Sequence, residues 1–132
     1  MKPSSETRSI AIVEDDATMG ALVLQMLARY GLPTQLFTGG FALLKSEVLS
    51  SFKTIVMDLS LPDMDGFELI QKLSERVSDV ELVVMTGRGN ATLESACMVA
   101  EGLGFRVAGA LNKPFSHLEL YLALKLREPG VS

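Results

Sequence analysis

Thr54-Ile55-Val56-Met57-Asp58-Leu59-Ser60-Leu61-Pro62-Asp63-Met64-Asp65-Gly66-Phe67-Glu68-Leu69-Ile70-Gln71-Lys72-Leu73 carries one complete structural unit. Its first four residues are apolar or β-branched without alternation, the pattern of a strand buried on both faces. That run stops at Asp58, and a turn-forming stretch containing Pro62 comes next. Asp65, with Glu68 three residues on, reads as a helix start. Phe67, Leu69, Ile70 and Leu73 then supply an apolar stripe at helical spacing.

The same unit recurs on either side. Ile10-Ala11-Ile12-Val13 and the run 80–85 have the character of buried strands, and Leu36-Phe37 and 108–111 are weaker versions. Met19, Leu22, Val23, Met26 and Leu27 predict a helix that stops at Tyr30-Gly31 before Pro33. Phe41, Leu44, Val48 and Leu49 form a second stripe. Leu93, Ala96, Cys97, Ala100 and Leu103 form a fourth. A last helix is expected from Ser116, with Glu119 at the capping-box position, to about Arg127. Strand then helix, repeated five times, predicts an α/β fold with a parallel sheet covered on both faces. Ligands of such sheets bind outside the carboxyl ends of the strands.

At 132 residues the chain is long enough for one domain with a sizeable core. A domain over 9–127 is expected, between tails at 1–8 and 128–132, the latter opened by Glu128-Pro129-Gly130 as a linker or free end. A net charge of -4 without a Lys/Arg cluster argues against direct nucleic-acid binding. No apolar run approaches the roughly 20 residues that span a bilayer. The first residues, Met1-Lys2-Pro3-Ser4-Ser5-Glu6, lack the apolar core of a signal peptide. The single cysteine, Cys97, has no internal partner. These features together predict a cytoplasmic protein.

Chemistry gathers where the strands end. The first strand is followed by Glu14-Asp15-Asp16, the third by Asp58, the fourth by Thr86-Gly87 and the fifth by Lys113-Pro114. In a parallel sheet these ends share one rim. Asp16 reads as the cap of the first helix, but capping does not account for carboxylates at two strand ends plus a lysine. Clustered carboxylates repel unless a cation joins them. A hard cation that prefers oxygen ligands, Mg²⁺ foremost, suits such a set, and Lys113 adds positive charge for an incoming phosphoryl group. The residues thus point to metal-assisted phosphoryl chemistry on a carboxylate.

Ile12-Val13-Glu14-Asp15-Asp16, Met57 through Gly66, Met85-Thr86-Gly87 and Lys113-Pro114-Phe115 resemble, in order and spacing, the receiver domain of two-component response regulators. The resemblance implies a flavodoxin-like fold with five parallel strands in the order 2-1-3-4-5. It implies that Asp58 is the phosphoacceptor and that Glu14 and Asp15 hold Mg²⁺ (with Mn²⁺ as the alternative ion), with Asp58 and the Ser60 backbone carbonyl as further ligands. Thr86 would hydrogen-bond the phosphoryl group and Lys113 would pair with it. Lys113-Pro114 is expected to be cis. Ser60 and Arg88 would flank the attacking water. Gly87 would leave room for the phosphoryl group, and Gly66 would serve a sharp turn. The implied phosphoryl donor is a sensor histidine kinase or phosphotransfer protein. The implied readers are an output domain, a downstream protein or a second copy, met through the surface of the fourth helix, fifth strand and fifth helix.

Two departures stand out. Receivers commonly carry Tyr or Phe three residues before the lysine, and here Ala110 stands there, so output is expected to pass through the fourth helix and its preceding loop. The segment Leu103-Gly104-Phe105-Arg106-Val107-Ala108-Gly109 is longer than the turn of many receivers. With the residues through Phe115, it is similar to receivers joined to EAL-type cyclic-di-GMP phosphodiesterases, although the chain holds no EAL motif. In the last helix, Leu118, Tyr121, Leu122 and Lys125 form one stripe, and Leu120, Ala123 and Leu124 another. That leaves open a wide single stripe or a second buried side. Cys97 reads as core packing and His117 as a surface residue.

A switch whose substrate is itself is not classed as an enzyme. Two other readings remain. A haloacid-dehalogenase-type phosphatase also uses a strand-end Asp, but usually has a second Asp where Ser60 stands. A phosphorylation-independent interaction module usually loses the acceptor, the acidic pair or the lysine, all of which are present.

Overall fold

The computed structural model describes residues 9–125. Its five strands are β1 (Ile10–Val13), β2 (Thr34–Phe37), β3 (Thr54–Asp58), β4 (Glu81–Thr86) and β5 (Arg106–Asn112). They form one parallel sheet in the order β2-β1-β3-β4-β5. The helices are α1 (Ala17–Ala28), α2 (Gly40–Leu44), α3 (Gly66–Ser74), α4 (Asn90–Gly102) and α5 (His117–Leu124). A short 3₁₀ turn covers Leu49–Ser51. The expected architecture is the observed one.

The strand pattern shows why. Ala11, Val13, Ile55, Met57, Leu82 and Val84 pack on one side with residues of α2, α3 and α4. Ile10, Ile12, Val56, Val83 and Met85 pack on the other with α1 and α5. Every residue of β1 and β3 is buried, so an unbroken apolar run is what two covered faces demand. None of the helices among the described residues is long and apolar enough to cross a membrane.

Local signals set the helix starts. The Asp16 carboxylate accepts the Met19 N–H at 3.0 Å, as a cap should. Asp65 accepts the Phe67 N–H at 2.6 Å. Ser116 and Glu119 form a reciprocal capping box. The helix they open closes at Leu124, with Lys125 in the left-handed region, short of the expected Arg127, which lies outside the described residues. Both expected tails, 1–8 and 128–132, lie outside the described residues too.

Several sequence expectations need correction. The second stripe does not form one helix: α2 ends at Leu44, and Phe41 and Val48 are 50% and 47% exposed while Leu44 and Leu49 are buried. The extra length before Lys113 is not a longer loop but a bulge within β5. Leu82 pairs with Val107 and Val83 with Gly109, so Ala108 is the additional residue. In α5, Tyr121 is buried and leaves the stripe assigned to it, whereas Leu118 and Leu122 face solvent. Gly66 is required by close packing rather than by a sharp turn. A Cβ there would lie 2.6 Å from the Leu59 Cα and from its Cδ2.

Gly66→Ala is therefore expected to destabilise the fold by about 1–3 kcal/mol, since backbone rather than a flexible side chain blocks the methyl group. Gly102→Ala, with open space around it in α4, should be neutral or stabilising by about 0.5–1 kcal/mol. Urea unfolding of the two variants beside the parent checks both signs.

Candidate functional site

The ends of four strands meet at one rim because the register aligns them. Val13 is opposite Met57, Asp58 opposite Met85, and Thr86 opposite Asn112. The backbone ladder continues past the strands and fixes the residues beyond their ends. The Glu14 N–H donates to the Phe37 carbonyl at 2.9 Å, and the Leu59 N–H to the Met85 carbonyl at 2.9 Å. The Lys113 N–H donates to the Thr86 carbonyl at 2.8 Å. Functional side chains thus project from backbone that is already hydrogen-bonded.

Lys113 lies between two carboxylates. Its Nζ is 2.8 Å from Asp58 Oδ2 and 2.5 Å from Glu14 Oε1. The other oxygens are held by main chain: the Ser60 N–H donates to Asp58 Oδ1 at 2.9 Å, and the Asp16 N–H to Glu14 Oε2 at 3.1 Å. Glu14 and Asp58 are buried, and Asp15 is exposed beside them. One carboxylate oxygen from each of Glu14, Asp15 and Asp58 lies within 4.8 Å of the others. An oxygen-only donor set of this size, open on the Asp15 side, fits a hard divalent cation such as Mg²⁺ and not a soft one. The Lys113-Pro114 peptide is cis, as expected.

Burial pushes the Glu14 carboxyl up, and the nearby Asp58 charge adds to that. The bonds from Lys113 and Asp16 only partly offset it. Burial alone would push the Lys113 ammonium down, but its hydrogen bonds to Asp58 and Glu14 and their charges hold it above the usual lysine range. Thr86 is buried, one residue beyond the partner of Asp58, and its Oγ1 accepts the Arg88 N–H at 3.1 Å. Ser60 is exposed at the mouth of the site.

Three features escaped the sequence reading. Asp63, in the loop after Asp58, accepts the Gly40 and Phe41 N–H groups at 3.0 and 2.9 Å and so ties that loop to the start of α2. The Phe41 bond foremost holds its carboxyl below the usual range. The adjacent glycines were the available signal: a Cβ on Gly39 would sit 2.9 Å from the Asp63 carboxylate. The Arg88 guanidinium reaches the Leu59 carbonyl at 3.4 Å. The Asn112 side-chain amide donates to Asn90 Oδ1, linking the residue before Lys113 to the first turn of α4.

The family model for the response regulator receiver domain matches residues 10–125. The transcriptional regulatory protein FixJ of Bradyrhizobium diazoefficiens is 30% identical over 106 residues, which cover 80% of this chain and 49% of that protein. The transcriptional regulatory protein RprY of Bacteroides fragilis is 28% identical over 115 residues, 87% of this chain and 47% of that protein. The chain therefore spans about half the length of these curated relatives. A response regulator from Colwellia psychrerythraea superposes with a TM-score of 0.76 at 28% identity, covering 91% of this chain and 97% of that one. A receiver domain from Methanospirillum hungatei gives a TM-score of 0.76 at 21% identity, with 91% and 92% covered, and speaks to the fold alone.

A carboxyl raised on folding favours the folded state only while protonated. Ionised Glu14 thus withdraws stability at neutral pH, and the loss disappears as pH falls through its raised value. Glu14→Gln is expected to have a higher urea midpoint than the parent near neutral pH and to converge with it on acidification. The same variant should lose the rise in melting temperature that millimolar Mg²⁺ gives the parent. Unfolding curves across the acid-to-neutral range, with and without Mg²⁺, check both halves.

Proposed function

The chain belongs to the response regulator receiver domain family, and on that premise we propose that it is a two-component switch whose Asp58 accepts a phosphoryl group. The observation that carries this reading is Lys113 bridging buried Asp58 and Glu14. Asp58 is the nucleophile. One of its carboxylate oxygens forms a bond to phosphorus while the bond from phosphorus to the donor's histidine nitrogen, or to the leaving oxygen of an acyl phosphate, breaks. A sensor histidine kinase or phosphotransfer protein is the donor.

Glu14, Asp15, Asp58 and the Ser60 carbonyl would hold Mg²⁺, or Mn²⁺ in its place. When bound, the ion offsets the charge that gathers on carboxylate and phosphoryl oxygens. Lys113 exchanges Asp58 Oδ2 for a phosphoryl oxygen and remains the fixed cation of the site. Thr86 can donate its hydroxyl proton to a phosphoryl oxygen while continuing to accept from Arg88 N–H. Ser60 and Arg88, both near the mouth, would govern how water reaches the acyl phosphate.

Ala110 offers no ring to swing inward, so the signal leaves by two short routes. Thr86 pulls on Arg88, and the chain passes through Gly89, at φ 101°, directly into α4. Lys113 pulls on Asn112, which is bonded to Asn90 at the start of α4. Both routes act on the surface formed by α4, β5 and α5, which would control an output domain or a separate protein. Transcriptional control, as the names of the relatives suggest, and cyclic-di-GMP turnover, which the run from Leu103 to Phe115 suggests, are both outputs that such a surface can serve. A cytoplasmic location follows from the proposed donor.

With Mg²⁺ and either acetyl phosphate or beryllofluoride, the parent should show shifts in its amide NMR spectrum that include α4. Asp58→Asn should show none, and chelation of Mg²⁺ should abolish them in the parent. Lys113→Ala should still bind metal yet transmit little of the change to α4. A full response in Asp58→Asn would remove the acceptor assignment.

A further inference from the structure

The loop after Asp58 is pinned at two places. At its base Ser60 faces Asp65 in an antiparallel bridge, and the Gly66 N–H donates to the Leu59 carbonyl at 3.0 Å. At its tip the Asp63 carboxylate accepts the Gly40 and Phe41 N–H groups at 3.0 and 2.9 Å. The next side chain, Met64, is buried, and a Cβ on Gly40 would lie 2.7 Å from its Cγ. Gly39 precedes α2 and has no side chain with which to cap it. Asp63 supplies that acceptor from a loop distant in sequence.

The post that receives the tip is itself fixed. Leu43 and Leu44 of α2 are buried in the core shared with β1 and β3. Phe37, a short step before Gly40, accepts the Glu14 N–H at 2.9 Å. A closed path therefore runs from Glu14 through the end of β2 and the start of α2 to Asp63, and along the loop back to Ser60 and Asp58. It joins the two segments that would supply metal ligands. The Ser60 N–H is held on Asp58 Oδ1 at 2.9 Å. Its carbonyl belongs to the following peptide plane, whose direction depends on the chain running on through Pro62 to Asp63. None of the bonds that pin the loop uses the Ser60 carbonyl.

We propose that Asp63 is a positioning residue that sets the ion preference of the site: by bracing the loop against α2, it holds the Ser60 carbonyl at the spacing Mg²⁺ needs. Mg²⁺ demands near-octahedral geometry at about 2.1 Å, whereas Ca²⁺ accepts irregular oxygen sets at about 2.4 Å. A loop pinned only at its base lets the carbonyl drift, which Ca²⁺ tolerates and Mg²⁺ does not. Groups that orient a ligand from behind govern metal affinity in this way. The inference rests on the reading of Glu14, Asp15, Asp58 and the Ser60 carbonyl as a metal site.

Titrations of the full chain with magnesium chloride and with calcium chloride, followed by amide NMR shifts around Glu14 and Ser60, give the two dissociation constants. Asp63→Ala should weaken Mg²⁺ binding about tenfold and Ca²⁺ binding less than about threefold, so that the preference between the ions moves toward Ca²⁺. Asp63→Asn keeps one acceptor oxygen and should fall between. Gly39→Ala approaches the brace from the other side. The backbone there is extended, at φ -164°, but its methyl group would meet the Asp63 carboxylate at 2.9 Å. It should move the preference in the same direction. Val80→Ala removes buried volume at the other end of the sheet. It should lower the urea midpoint and leave both dissociation constants unchanged. The proposal is overturned if Asp63→Ala lowers the urea midpoint while both constants keep their parent values, which would make Asp63 a helix cap alone. Equal weakening of the two ions overturns it as well. Mg²⁺ shifts in the parent that survive Asp15→Asn would remove the metal site itself and the proposal with it. Shifts that vanish in Asp15→Asn beside an unchanged ion preference in Asp63→Ala would remove the brace alone.

Discussion

The Lys113 ammonium sits between two carboxylates that would otherwise repel each other in a buried setting. Removing either acid would leave the lysine half-paired, and removing the lysine would leave two buried negative charges facing one another, the costly outcome for a buried ionic group. The arrangement is held by backbone rather than by the ion pairs themselves, because ladder hydrogen bonds run through Glu14, Leu59 and Lys113. On the phosphoacceptor reading proposed above, such a site would be pre-organised for a doubly negative group: the cation is in place and its present partners can be exchanged. The raised Glu14 carboxyl records what that readiness costs the resting fold. Stability given up at a site poised for a ligand is the usual exchange between function and stability.

Much of the fold was legible in the sequence because the central strands are covered on both faces. Burial of every residue in β1 and β3 leaves no polar alternation to confuse a strand with a helix. Legibility fell toward the sheet edges. β2 and β5 are half-exposed, and their sequences carry mixed signals. The bulge at Ala108 could not be read from composition, since it depends on how β5 registers against β4. The second stripe misled for a related reason. Leu44 and Leu49 reach the same core from two short elements, and spacing alone cannot distinguish that from one continuous helix.

The site divides along the same line. Glu14, Asp58, Thr86 and Lys113 were readable because each lies at the end of an identifiable strand, and strand ends in a parallel sheet share a rim. The contacts made by Asp63, by the Arg88 guanidinium and by the Asn90–Asn112 pair were not. Each acts through a contact between segments distant in sequence, and two of the three use a backbone group that every residue possesses. An aspartate in a loop and an asparagine at a helix start have many ordinary explanations. Only placement shows that Asp63 holds the loop after Asp58 against α2 and that Asn112 holds α4.

The position of these contacts bears on how a small chemical event reaches a surface. Charged hydrogen bonds at the site are worth a few kcal/mol, and a shift of about 5 kcal/mol is enough to invert a two-state population. That energy is useful only if a bistable element lies close to the exchange. On the proposed reading α4 would be that element. Its start comes directly after a glycine in the left-handed region, an amide pair joins it to β5 beside the apolar packing of Leu93, Ala96 and Ala100, and its outer stripe is solvated. With Ala110 beneath it, no aromatic ring couples its position to that of Thr86. On the proposed reading the coupling would therefore run through the loop from Thr86 to Asn90 and through the two residues Asn112 and Lys113. A recess that an aromatic side chain would otherwise occupy is left open on the same face. Ala110 at this position thus has two consequences on the proposed reading: no aromatic relay is available there, and the recess between α4 and α5 stays open.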